Sequence, residues 1–233
     1  VHGSCHGAWC WRDVIPELQA FGHLVQAIDL PGHGADPTPR ASVTLDDYAR
    51  AIVAAITGPT LVVGHSMAGY AITAAAEYDP RNIAALVYLC AYRPRSVLSL
   101  ADMRRAGPSQ PLLPAIRREG ACFSFDPDLA GELFYHDCPS GTLDFARTHL
   151  TPQPVLPQET PLELSARSAA LPQFYIRCTE DRAIPPEYQL SMAEGLPKGH
   201  LSHLATSHSP FFAAPRALSE RLDQIAGALT LPL

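Results

Sequence analysis

The segment Leu61-Val62-Val63-Gly64-His65-Ser66-Met67-Ala68-Gly69-Tyr70 constrains this chain more than any other. A short aliphatic run ends on a serine, and an alanine-rich stretch of helical composition begins directly after it. A serine at such a junction sits on a tight strand-to-helix turn at the carboxyl end of a sheet, where only small residues fit two places to either side. Gly64 and Ala68 occupy those places, so the pattern is G-x-S-x-A with Gly69 following. Serine is also an ordinary helix N-cap. The motif therefore takes its meaning from the elements around it.

Those elements alternate. Apolar runs at 23–28, 60–63 and 84–89, the first two bounded by Gly, Pro or Asp, have the length and lack of alternation of strands buried on both faces. Helical stretches at 8–21 and 45–56 alternate with them, the second opening on Thr44 with Asp47 three residues on, an approximate capping box. This is the rhythm of a doubly wound α/β sheet. The texture changes near Pro94. Ten of the 23 prolines fall between there and Pro161, with short helical pieces at 128–135 and 142–150, which reads as an insertion over the core. The α/β rhythm resumes with a strand at 173–178, a helix at 186–194, a strand at 200–204 and an amphipathic helix at 215–229. The expected division is a core of 1–94 and 166–233 with a cap at 95–165.

Bulk properties exclude several classes of function. The chain has 233 residues, 47% hydrophobic and 17% charged, which suits one globular domain with a sizeable core. The net charge of −6 comes from scattered side chains with no basic stripe, so nucleic acid is not an expected partner. Apolar stretches break well before the roughly 20 residues of a membrane span, and a soluble protein is expected. Cys5, Cys10, Cys90, Cys122, Cys138 and Cys178 are widely spaced, the pattern of free thiols in a reducing cytoplasm. No secretory signal is visible. The chain opens at Val1, directly on a motif, so a preceding stretch is expected to be missing.

That opening motif, Val1-His2-Gly3-Ser4-Cys5-His6-Gly7-Ala8-Trp9, follows what would be the first core strand. A His-Gly loop in that place supplies a backbone N–H to an oxyanion hole; Ser4 is the candidate donor, and the N–H of Met67 the second. Gly3 and His65 are expected to contact substrate. A serine hydroxyl needs a base, held in the right tautomer by a carboxylate. Thr179-Glu180-Asp181 follows a strand at its carboxyl end, and Asp181 is favoured over Glu180. For the base, His200 and His203 lie inside a strand-like run, whereas His208 lies on a loop before the last helix and is preferred. The ten histidines form no H-x-x-x-H or His–carboxylate spacing of a metal site.

Taken together, H-G-S-C-H-G-A-W-C-W (His2 to Trp11), D-L-P-G-H-G (Asp29 to Gly34), G-H-S-M-A-G (Gly64 to Gly69), C-T-E-D-R-A-I-P (Cys178 to Pro185) and His208 resemble the plant methylesterase and hydroxynitrile lyase family and its bacterial carboxylesterase relatives. The resemblance implies an α/β-hydrolase fold, a mostly parallel sheet flanked by helices with a helical cap. It also implies a triad of Ser66, Asp181 and His208 with Ser4 and Met67 as oxyanion donors, and neither cofactor nor metal. Lyases of this type carry Thr after the first His of the loop and Lys after the catalytic His. Here those places hold Gly3 and Ser209, so the expected activity is hydrolysis of small-molecule esters through an acyl-enzyme. Leu112, Leu113, Phe123, Phe125, Leu133, Phe134 and Leu143 are candidates to line a pocket for hydrophobic or aromatic esters, and pairing of caps would allow a homodimer.

Overall fold

Four aliphatic and aromatic runs come together as one parallel sheet, in the order β1 (Thr60–His65), β2 (Ile83–Leu89), β6 (Gln173–Cys178), β7 (Leu201–Leu204). The structure is a computed structural model that describes residues 1–229. Between β2 and β6 lie β3 (Ile116–Glu119), β4 (Cys122–Phe125) and β5 (Gln153–Pro154), a separate antiparallel sheet. The helices are α1 (Val14–Ala20), α2 (Leu45–Ala55), α3 (Ala68–Tyr78), α4 (Leu100–Ala106), α5 (Pro127–Phe134), α6 (Thr142–Arg147), α7 (Leu156–Glu159), α8 (Ala166–Ala169), α9 (Pro186–Met192), α10 (Pro210–Ala213) and α11 (Pro215–Ala228).

The parallel sheet is covered on both faces, as buried parallel strands require. Side chains alternate along β2: Leu86 and Tyr88 join the cluster formed with α2, α3 and α9, while Ala85, Val87 and Leu89 join the cluster formed with α1 and α11. The alanines of α3 follow from its place, wedged between the sheet and α2, where larger side chains would hold the layers apart. At the start of α2 the expected capping box is present: Thr44 Oγ1 accepts from Asp47 N at 3.1 Å, and Asp47 Oδ2 accepts from Thr44 N at 2.9 Å. At the other end of the chain, α11 buries Leu218, Leu222 and Ile225, the i, i+4, i+7 stripe of an amphipathic helix.

Three local expectations are corrected. The run 23–28 makes no β-ladder among the described residues. A strand needs paired backbone at its side, and the backbone beside β1 is Val1, which donates to Val63 O at 2.6 Å and accepts from His65 N at 3.1 Å. Just past the run, Leu30 N donates to His2 Nε2 at 3.0 Å. The stretch 8–21 divides into a 3₁₀ turn, Ala8–Trp11, and α1. Pro16 explains the division, since proline is tolerated only in the first turn of an α-helix. Finally, the insertion is not purely helical. β3 reads Ile-Arg-Arg-Glu, too polar to be recognised as a strand, and it becomes one because Gly120, at φ 56°, opens a two-residue turn that folds it against β4.

Candidate active site

The carboxyl edge of the parallel sheet gathers the three candidate triad residues, since β1 delivers Ser66, the loop after β6 delivers Asp181 and the loop after β7 delivers His208. Ser66 lies at φ 55°, a left-handed conformation that a non-glycine residue adopts only when the surroundings enforce it. Three backbone bonds enforce it here: Ser66 N donates to Leu89 O at 3.2 Å, and Ser66 O accepts from Gly69 N at 3.2 Å and Tyr92 N at 3.1 Å. The neighbours must be small. A Cβ on Gly64 would stand 2.7 Å from Ala68 O, and one on Gly69 would stand 2.2 Å from Tyr92 O. Gly69 is thus as demanding a position as the Gly64 and Ala68 that define the motif.

Ser66 Oγ donates to His208 Nε2 at 2.9 Å, and His208 Nδ1 donates to Asp181 Oδ2 at 2.6 Å. Asp181 is itself held on all sides. Its Oδ1 accepts from Ala183 N at 2.7 Å and Ile184 N at 2.9 Å, and its Oδ2 accepts from Gln189 Nε2 at 2.8 Å. Gln189, which sequence reasoning missed, also accepts from Cys178 N at 3.0 Å and so fastens the strand end to the carboxylate. The rival candidates stand elsewhere: Glu180 and His203 are exposed, and His200 donates to Gln173 O at 2.7 Å while stacking on Phe174.

The His-Gly loop turns tightly, with His6 N donating to Gly3 O at 3.2 Å and Cys5 at φ 63°. Ser4 N and Met67 N find no acceptor among the described residues, and both residues border the cleft at Ser66. Two free N–H groups beside a nucleophile are what an oxyanion needs. The loop is braced from several sides. His6 Nδ1 donates to Ser4 O at 2.8 Å and Nε2 accepts from Tyr135 OH at 2.7 Å; Gln158 Nε2 donates to Ser4 Oγ at 2.8 Å. The D-L-P-G-H-G motif belongs to the same scaffold. Asp29 accepts from Ala8 N at 2.6 Å and Ala35 N at 3.0 Å, and a Cβ on Gly34 would collide with its carboxylate.

His65 lies against these residues without entering the relay. It donates through Nε2 to His208 O at 2.8 Å, its Nδ1 is buried without a partner, and burial keeps its pKa well below the ordinary histidine value. Gly3 packs on that ring, where a Cβ would stand 2.7 Å from Nδ1. His65, Cys90 and His208 have donor atoms within 4.8 Å of one another, but His208 already spends both ring nitrogens on Ser66 and Asp181, so these residues do not suit a metal.

Of the apolar candidates, Leu112, Phe123, Phe125 and Phe134 line the cleft, together with Tyr92, Leu100, Arg104 and Gln158. Leu113 is exposed, and Leu133 and Leu143 pack into the core cluster instead. Arg104 and Gln158 carry no motif by which the sequence could have marked them.

The elbow serine, the relay behind it and the two free N–H groups, placed at the carboxyl edge of a parallel sheet, are the arrangement of an α/β hydrolase. Residues 1–221 match the model of the Alpha/beta hydrolase family, and the chain belongs to that family. More particularly, it is 30% identical to Methylesterase 1 of Arabidopsis thaliana over 97% of this chain and 94% of that one. A pyrethroid hydrolase of Sphingobium wenxiniae is 28% identical, with 98% and 86% covered. The crystal structure of a pyrethroid hydrolase from Sphingobium faniae superposes with a TM-score of 0.85 at 26% identity, covering 97% of this chain and 95% of the other.

Proposed function

We propose that the chain is a serine carboxylesterase acting on small to medium hydrophobic or aromatic esters, with Ser66, His208 and Asp181 as its triad. The observation that carries this reading is the unbroken relay from Asp181 through His208 to a serine on a strained elbow. His208 Nε2 takes the hydroxyl proton as Ser66 Oγ attacks the ester carbonyl, and Asp181 stabilises the imidazolium that forms. The N–H groups of Ser4 and Met67 receive the oxyanion, a contribution of about 3 kcal/mol for each such donor. Collapse of the tetrahedral intermediate expels the alcohol with the proton from His208; water then repeats the sequence on the acyl-enzyme.

In this reading 95–165 acts as a cap, since its Leu112, Phe123, Phe125 and Phe134 wall the cleft. The methylesterase and pyrethroid hydrolase relatives support ester hydrolysis as the reaction class. Gly3 and Ser209 stand where lyases of the resembling family carry Thr and Lys, and the tight fit of Gly3 against His65 leaves no room for a threonine side chain. A fluorophosphonate probe should label Ser66, and Ser66→Ala should abolish both labelling and turnover of p-nitrophenyl esters. Cyanide release from cyanohydrins outpacing ester turnover would overturn the reading.

A further inference from the structure

Arg104 differs from every other arginine of the chain. Among the described residues, each of the others donates its guanidinium to a carboxylate, carbonyl, amide or hydroxyl oxygen. Arg104 donates to none, and its Nε–H is buried without an acceptor. The residue sits on α4 and lines the cleft that holds Ser66, Met67 and His208, and among the described residues no carboxylate lines that cleft to answer it. Asp102, two residues earlier, is turned to other work: its oxygens accept from Ser99 and Arg105. A guanidinium keeps its charge at any pH a protein survives. A permanent cation therefore stands in a cleft whose walls, among the described residues, include no carboxylate.

The Nε–H and one Nη–H of arginine form a planar fork that matches the two oxygens of a carboxylate. A buried donor without a partner is costly to keep, and a carboxylate brought in by a ligand would satisfy it. We propose that Arg104 is a specificity residue that selects esters bearing a second, ionised carboxylate, the half-esters of dicarboxylic acids. The proposal rests on the esterase reading for where the ester carbonyl sits, at Ser66. Neutral esters of the same length fill the apolar walls but leave the guanidinium unanswered.

The test compares kcat/KM for monomethyl adipate and monomethyl glutarate with the corresponding dimethyl esters at low ionic strength. The wild-type chain should prefer the half-esters at least tenfold. Arg104→Gln should bring that ratio close to one, chiefly through KM, and Arg104→Lys should keep part of it. A wild-type ratio at or below one, or a ratio that Arg104→Gln leaves intact, overturns the proposal. A second arm needs no turnover: monomethyl adipate is titrated into Ser66→Ala by calorimetry, with and without Arg104→Gln. Affinity should fall at least tenfold when Arg104 is replaced, while dimethyl adipate affinity changes little; equal losses for both, or none, reject the carboxylate site. If Arg104-dependent binding is found but no ester is hydrolysed by the wild type, the esterase reading fails and the carboxylate site stands. Hydrolysis without preference gives the converse.

Discussion

At Asp181 a single oxygen serves two partners. Oδ2 accepts from both His208 Nδ1 and Gln189 Nε2, and Oδ1 is filled by two backbone N–H groups, so the carboxylate cannot rotate away from the imidazole. In the proposed mechanism Gln189 is a positioning residue, its amide holding the Asp181 carboxylate in place. Gln189→Leu should lower kcat about tenfold with little change in KM, because the relay loosens while the cleft walls stay. It should also cost about 1–3 kcal/mol of stability, since Cys178 N is left buried without an acceptor. Steady-state kinetics and urea denaturation of the same variant separate the two effects, and a change confined to KM would remove Gln189 from this role.

Among the elements, the proposed cap and the rest of the fold are joined through the loops that carry the candidate site. Ser207 N, next to His208, donates to Asp137 Oδ2 at 2.7 Å, and Ser207 Oγ donates to Phe134 O at 3.1 Å. Gln153 of β5 accepts from His33 Nε2 at 3.0 Å and Cys5 N at 3.3 Å while donating to Tyr48 OH of α2 at 3.1 Å. Tyr135, just past α5, reaches His6 and through it the Ser4 carbonyl. The peptide that presents Ser4 N–H is therefore aimed partly from the insertion. Tyr135→Phe should lower kcat several-fold at nearly constant KM and melt only a few degrees earlier, because one buried ring nitrogen loses its donor. Unchanged kcat would show that the loop holds its aim without Tyr135.

For the molecule as a whole, the cost of building this site appears as a cluster of histidines kept neutral. Burial pushes His6 down to about 4 and holds His2 and His65 well below, and His33 below, the ordinary value near 6.5. The unfolded chain takes up protons at these residues as pH falls through about 6.5, while the folded chain does not until lower pH. Stability is therefore complete above about 6.5 and is lost progressively as pH falls towards 4, with His6 alone accounting for about 3 kcal/mol of the loss. Urea midpoints measured at pH 7.5, 6 and 5 should decline in that order; a flat profile would contradict the buried neutral assignment. Six free cysteines add no covalent support, and no helix among the described residues is long and apolar enough to cross a membrane.

Much of this was legible in the residues alone, because the features concerned are local. The G-x-S-x-A-G turn, the capping box at Thr44 and the short aliphatic runs each state their conformation within a few positions. The order Ser66, Asp181, His208 follows from where those runs end. Other features depended on what lies across the fold. The run 23–28 has strand composition but makes no ladder among the described residues, and β3 has polar composition but pairs with β4. Gln189 and Gln158 carry no pattern, since a single amide acquires a role only when folding places it beside a carboxylate or a hydroxyl. Arg104 is the sharpest case: in sequence it is one arginine among many, and only tertiary structure places it in the cleft at Ser66 without an acceptor among the described residues. The strained elbow at Ser66 was decided by local sterics, which a sequence records, whereas the environment around it was decided by long-range pairing of polar groups, which a sequence does not.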